Sequence, residues 1–561
     1  VKSERIGART RATVEAESGG RPVVQVWGSR GMASSMHPLA SEAALDALRA
    51  GGNAVDAAVA LAATISVTSP DWAGPAGDSA WLVYLAGTRE FHYLDGYSTC
   101  PAETSAERLR QHFALDRSRD ARAFSEEPPD CRHVGVVTSM VPGTPAAWVA
   151  LASRFGRLGI DRVLQMAVHI AEHGFPVNEY LGLALETYAR KIGPFASTRR
   201  VFCDGDGAVL RQGARLRQPD LAGVLRAIGE RGHDGFYAGS TADRIVEHCR
   251  AHGGSITHED LARYRVAWRD VVRGSYRGTG VVVTSPPTAG VHVLQALSIL
   301  ESFDLAELPY HGPKSLHLLI EALKLALADR RALGGDPDHV SMDVGRLLSA
   351  DHLAALRARI DPERAATTGL DVFPGSSTTH FCVRDEAGNM VSATQSIGAA
   401  FGCAETVAGT GLLMNDRTWW MSLDDGPNGV APLRRANIGH APTMLLRDGV
   451  PFATLGSPGG FGIVQYVVQV AVNMLDYGLD IQRAIEAPRF RIEDLRGTVA
   501  IESRIDAATR GALAALGHGV VDLPAWTDRV GGVEGIVVDP GTGSMQGGYD
   551  PRRNSLAAGL D

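Results

Sequence analysis

The chain has 561 residues, of which 45% are hydrophobic and 21% charged, and its net charge is −8. This is an ordinary globular balance, long enough to bury a large core spread over roughly two to four domains. The acidic balance and the lack of any Lys/Arg run exclude a nucleic-acid partner, and the longest apolar region, Ala57 to Val67, is too short to span a membrane.

The N-terminal stretch from Val1 to Arg30 is polar throughout and lacks the apolar core of a secretory signal. It predicts a cytoplasmic protein, with Val1 a literally translated initiator and the chain a complete precursor. His37 to Arg49 has helical spacing in Ala40, Ala43, Ala44, Ala47 and Leu48, and Gly51-Gly52 stops it. A second helix, about Ala54 to Ser66, is apolar nearly all round and is therefore expected to be buried. Gly74 to Gly77 reads as a turn and Ala80 to Leu85 as a buried strand. Residues 103–130 are charged and read as an exposed excursion. Residues 146–275 read as mainly helical, with breaks at Gly232–Gly235 and Gly253–Gly254. Ser315 to Arg331 is a further helix. Periodicity is lost over 362–377, after which 378–460 alternate like strands and Phe461 to Leu475 is a helix. Six dispersed Cys, none in a CxxC pair, predict reduced and mostly buried thiols. Scattered His without an HExxH motif predict no metal, and no other cofactor is expected.

Two segments carry chemistry. Thr378 to Val383 and Val391 to Ile397 both alternate, and Asp385-Glu386-Ala387-Gly388-Asn389 between them has hairpin-turn composition. A turn centred near Ala387 pairs Thr378 with Ser396, within one residue. Period-two geometry then puts Phe381, Val383, Val391, Ala393 and Ile397 on one face. Thr378, His380, Cys382, Ser392, Thr394 and Ser396 take the other. Opposed side chains have Cβ atoms roughly 4.5–5.5 Å apart, so the two hydroxyls are within reach of each other. The competing reading is a Thr/Ser-rich strand pair with one solvated face. The second segment, Thr454-Leu455-Gly456-Ser457-Pro458-Gly459-Gly460, leads from a strand into a helix. It leaves bare N–H groups at Gly459 and Gly460, a cradle for a developing oxyanion. The competing reading is an ordinary tight turn.

Together these pieces resemble the gamma-glutamyltranspeptidase family from about Gly31 to the end. Matching stretches are Gly51-Gly52-Asn53-Ala54-Val55-Asp56-Ala57-Ala58, Val141-Pro142-Gly143-Thr144 and Gly253-Gly254-Ser255-Ile256-Thr257. They continue with Ala328-Asp329-Arg330, Gly335-Asp336-Pro337, Thr378-Thr379-His380 with Gly388-Asn389, and Gly456-Ser457-Pro458-Gly459-Gly460. The resemblance implies an α+β fold, the four-layer αββα sandwich of the N-terminal nucleophile hydrolases. It also implies a precursor that cuts itself between Ser377 and Thr378. The products, a large chain of residues 1–377 and a small chain of 378–561, form a heterodimer or a dimer of these. Thr378 becomes the nucleophile, Ser396 its hydrogen-bonding partner, and Gly459 and Gly460 the oxyanion donors. The freed α-amine, with a pKa of about 8, acts as base for the neighbouring hydroxyl.

The chain departs from the family at the groups that hold a glutamyl unit. The family's Arg falls at Tyr97, its Asp at Trp420, its Gln at Arg417, its Asn at Gly398 and its Ser pair at Ile438 and Gly439. With these clamps gone, glutamyl recognition is not expected. Arg417 places a cation in the site, which suits a carboxylate-bearing or oxalyl-like acyl group, and Tyr97, Trp419 and Trp420 offer an apolar wall. An ion pair for Arg417 and core packing for the Trp residues are the plainer readings. The expected activity is cleavage of a small acyl group from an amide of a small-molecule substrate. The alternatives are hydrolysis of an activated C–C bond in a secondary-metabolite pathway, true gamma-glutamyl transfer, and a non-catalytic homologue.

Overall fold

A computed structural model describes residues 23–114, 134–367 and 377–561. Fourteen strands form its two principal sheets. In chain order they are β1 (Val26–Gly28), β2 (Gly31–Ser35), β3 (Asp78–Leu85), β4 (Glu90–Gly96), β5 (Ala267–Arg269), β6 (Val271–Tyr276) and β7 (Thr279–Thr284). After these come β8 (Ser377–Asp385), β9 (Met390–Gly398), β10 (Thr443–Arg447), β11 (Val450–Gly456), β12 (Glu534–Val538), β13 (Met545–Gly548) and β14 (Leu556–Leu560). One seven-stranded sheet has the order β14-β2-β8-β9-β3-β4-β5, and the other β1-β13-β12-β11-β10-β7-β6. Every pairing in both is antiparallel.

The sheets pack face to face through Met32, Leu82, Cys382 and Met390 on one side and Val282, Met444, Ile536 and Met545 on the other. Helices cover both outer faces. On the first sheet lie α1 (Pro38–Arg49) and α2 (Ala54–Thr68), with α3 (Gly239–His252) among the helices that extend this layer. On the second lie α4 (Gly290–Leu300), α5 (Pro313–Leu333) and α6 (Ile463–Leu475). The result is the four-layer αββα sandwich of an α+β protein. Both faces of each sheet are buried, so each needs a covering layer.

Local signals explain the elements. His37 caps α1, its Nδ1 accepting from Leu39 N at 3.2 Å. Asn53 and Asp56 form a capping box for α2, whose residues are all buried, as its all-round apolarity requires. Two expectations are corrected. The region read as helical to 275 ends in strands β5 and β6, where the β-branched Val271 and Val272 pair with Thr284 and Val283 of β7. Between β9 and β10 the chain is mostly irregular, with one short strand pair and a 3₁₀ turn at Arg417–Trp420. The charged excursion begins as a helix at Ala106–Ala114. The rest of that reading, much of the aperiodic 362–377 stretch and most of the polar N-terminus lie outside the described residues. The described cysteines, Cys100, Cys203, Cys249, Cys382 and Cys403, are all unpaired. No helix among the described residues is long and apolar enough to cross a membrane.

Candidate active site

The hairpin forms in the register expected from its turn. Thr379 to Arg384 pair with Gln395 to Met390 in order, and an irregularity between Ser377 and Thr379 falls at Thr378. The apolar face, Phe381, Val383, Val391, Ala393 and Ile397, packs into the helical layer around α2. Gln395 shares that face and is satisfied there, donating to Ser66 Oγ at 2.7 Å and accepting from Trp148 Nε1 at 3.1 Å. The polar face is not solvated. It is closed by the second sheet, where Ser392 Oγ donates to the Leu455 carbonyl at 3.2 Å.

At the end of this face Thr378 Oγ1 and Ser396 Oγ lie 3.2 Å apart. Ser396 Oγ also accepts from Gly398 N at 3.1 Å, which fixes its lone pairs and aims the pair. Thr378 is 1% exposed. His380 sits two residues along the same face, with Nδ1 2.8 Å from Thr394 Oγ1 and Nε2 3.3 Å from Ser392 Oγ. Burial holds its pKa down at about 3, so the ring is neutral, and both nitrogens face hydroxyls of the neighbouring strand β9.

The remaining expected residues gather at the same end of the sandwich. Asp78 opens β3 directly opposite Ser396, and its Oδ1 accepts from Arg417 Nη2 at 2.5 Å. Both groups are fully buried. Burial pushes the Asp78 carboxyl up to about 6, against the pull of Arg417. The ion-pair reading of Arg417 therefore holds, but its Nε and Nη1 have no partner among the described residues. Tyr97 follows β4 and meets His440 edge to face, ring centroids 5.2 Å apart. The Tyr97 hydroxyl and both His440 nitrogens are likewise unpartnered among the described residues.

The glycine turn completes this end. Gly456 closes β11 under the His380 ring, so near that a Cβ there would stand 2.0 Å from it. Gly459 has φ +120° and Gly460 φ +61°, conformations that glycine alone takes without strain. A 3₁₀ turn at Gly460–Gly462 then leads into α6. Gly439 packs on the Gly460 carbonyl, where a Cβ would stand 2.0 Å from the oxygen. Trp420 stacks on Phe461 at 5.6 Å, so its core-packing reading holds as well.

Sequence reasoning passed over Arg330 as a site residue. Its side chain is fully buried, and all three guanidinium nitrogens lack a hydrogen-bond partner among the described residues. Its Cζ lies 4.1 Å over the Phe461 ring, and its Nη1 is 3.6 Å from where a Gly439 Cβ would stand. Burial lowers its pKa to about 9, which leaves it a cation at neutral pH. The signal in the sequence was the match at Ala328-Asp329-Arg330, which carried no role by itself.

Comparison with known proteins agrees with this fold. The gamma-glutamyltranspeptidase family profile matches residues 40–560. The acylase ACY 1 proenzyme of Pseudomonas sp. (strain SE83) is 37% identical, covering 91% of this chain and 90% of its own. The glutathione hydrolase proenzyme of Escherichia coli (strain K12) is 31% identical, covering 94% and 92%. The cephalosporin acylase structure from Bacillus halodurans superposes with a TM-score of 0.87 at 32% identity, covering 96% of this chain and 98% of that one. Fold, profile and relatives converge, and the chain is a hydrolase belonging to the gamma-glutamyltranspeptidase family.

Proposed function

We propose that the chain is a self-processing amidohydrolase whose nucleophile is Thr378 and whose acyl substrate ends in a carboxylate. The chain is cut after Ser377 into residues 1–377 and 378–561. The freed amine of Thr378 takes the proton from its own hydroxyl, and Ser396 orients that oxygen. The Oγ attacks the acyl carbon while the Gly459 and Gly460 amides hold the oxyanion. The C–N bond breaks, the amine leaves with the transferred proton, and water hydrolyses the threonyl ester to release the acid. Tyr97 and Trp420 wall the acyl group.

The observation that carries the reading is the state of two arginines, Arg417 paired with Asp78 opposite Ser396, and Arg330 over Phe461. Arg417 and Arg330 are buried and present N–H groups that no described residue accepts. Leaving such donors unsatisfied costs about 1–3 kcal/mol each, more for charged groups, and a bound carboxylate removes that penalty. A glutamyl α-amino group would meet repulsion from the same cations. The acylase and cephalosporin acylase names of two relatives support an acyl substrate of this kind.

The test is intact mass spectrometry of the small chain after brief incubation with amides of oxalic, succinic and glutaric acid and with a gamma-glutamyl donor. The expected result is an increment on the small chain equal to one dicarboxylic acyl group, and none from the glutamyl donor. Thr378→Ala is expected to remain a single chain and acquire no increment. Splitting of that variant, or acylation by the glutamyl donor alone, would overturn the reading.

A further inference from the structure

Away from the nucleophile, α3 ends with two imidazoles one turn apart. His248 and His252, at i and i+4, present nitrogens on the same helix face. Both point at one oxygen of Glu405, a residue of the irregular segment after β9. His248 Nε2 is 3.0 Å from Glu405 Oε1, and His252 Nδ1 is in contact with the same oxygen. The two nitrogens are 3.2 Å from each other. The other carboxylate oxygen, Oε2, is fixed by the Val136 N–H at 3.0 Å.

With Glu405 ionised, each placement of protons on the two imidazoles leaves one close approach unfavourable. If both imidazoles donate to Oε1, two N–H dipoles lie side by side at 3.2 Å. If one imidazole donates to the other, the acceptor turns its lone pair toward a carboxylate. A cation shared by three lone pairs resolves this. Ligand atoms about 2.0–2.1 Å from a tetrahedral ion stand about 3.3 Å apart, close to two of the observed separations.

A second cluster shows what a filled site looks like. His317, Glu321 and His518 also converge. There the Lys324 ammonium lies 2.8 Å from Glu321 Oε1 and 3.4 Å from His518 Nδ1, and His317 Nε2 meets the Asp361 carbonyl at 2.7 Å. A protein cation already occupies the centre. At Glu405 the carboxylate is contacted by the two imidazoles and by the Val136 N–H. His248, His252 and Glu405 also line a cleft of about 1050 Å³, with His252 half-exposed, so among the described residues an ion has a path to the site.

We propose that His248, His252 and Glu405 form a binding site for a divalent transition metal of the zinc class. Two nitrogens and one carboxylate oxygen suit such an ion, and the Val136 amide supplies the outer hydrogen bond that orients the carboxylate. This runs against the expectation of no metal from the sequence, because the carboxylate comes from a distant segment rather than from an HExxH helix. The site joins α3, ahead of residue 378, to Glu405, behind it. If the chain is cut as proposed above, the ion ties the two products together.

The test is titration of the EDTA-stripped full chain with Zn2+ by calorimetry, and with Co2+ by visible absorption. One Zn2+ per chain is expected, with strong tetrahedral Co2+ bands. Glu405→Gln and His252→Gln are expected to weaken Zn2+ binding at least 100-fold while circular dichroism stays that of the parent. His252 is half-exposed, so its replacement separates loss of a ligand from loss of fold. No bound Zn2+, or binding unchanged in both variants, would overturn the proposal. Neither result depends on catalysis at Thr378.

Discussion

At residue scale, the polar end of the hairpin divides its labour by burial. His380 stands two residues from the proposed nucleophile Thr378, yet its environment removes it as a base at neutral pH. Its native pKa is about 3, whereas the unfolded imidazole titrates near 6.5. Between those values the unfolded chain binds a proton that the native chain does not, so stability is full above 6.5 and falls as pH drops toward 3. The slope is about 1.4 kcal/mol per pH unit for this one group. We expect His380→Asn, in an uncut Thr378→Ala background, to flatten the loss of stability between pH 6.5 and 5 by that slope. Urea unfolding at both pH values measures it, and an unchanged slope would show that His380 is protonated in the native chain. Thr378, Ser396 and the glycine turn were legible as residues. Arg330 was not, because an orphaned guanidinium is defined by what fails to surround it.

At element scale, β8–β9 and β11 meet through the contact of Gly456 with the His380 ring. Any Cβ at 456 would stand 2.0 Å from that ring, and the ring is held by Thr394 and Ser392 from the strand beside it. Gly456→Ala therefore pushes the sheets apart beside His380, two residues from the proposed nucleophile. A destabilisation of about 1–3 kcal/mol is expected, the usual range for overpacking. It should come with slower appearance of the small chain on a denaturing gel. Thermal unfolding and a maturation time course test both parts. The hairpin's own register was readable because turn and alternation are local. The strands after residue 530 were not read, since short runs such as Met545–Gly548 carry too little periodicity to stand out.

At the scale of the whole molecule, the proposed cut does not divide the fold. The first sheet interleaves β2, β3, β4 and β5 from before residue 378 with β8, β9 and β14 from after it. The second likewise mixes β1, β6 and β7 with β10 to β13. The candidate site is shared as well, with Asp78, Tyr97 and Arg330 on one side of the cut and Ser396, Arg417 and Gly460 on the other. Separating the two pieces would expose both faces of each sheet. The two products are therefore expected to co-elute at the mass of the intact chain on a native sizing column and to part only in denaturant. Elution as two separate species would show that the cut lies elsewhere or that the sheets do not interleave.

The sequence by itself determined the hairpin, its pairing and its two faces, the buried helix α2 and the glycine turn. Each depends on residues within a few positions of one another, where backbone geometry leaves few choices. Only the tertiary structure decided that the polar face is sealed rather than wet. It alone buried Arg330 and part of Arg417 without hydrogen-bond partners among the described residues and brought a carboxylate to two histidines. Those facts are contacts between segments far apart in the chain, set by how the four layers close.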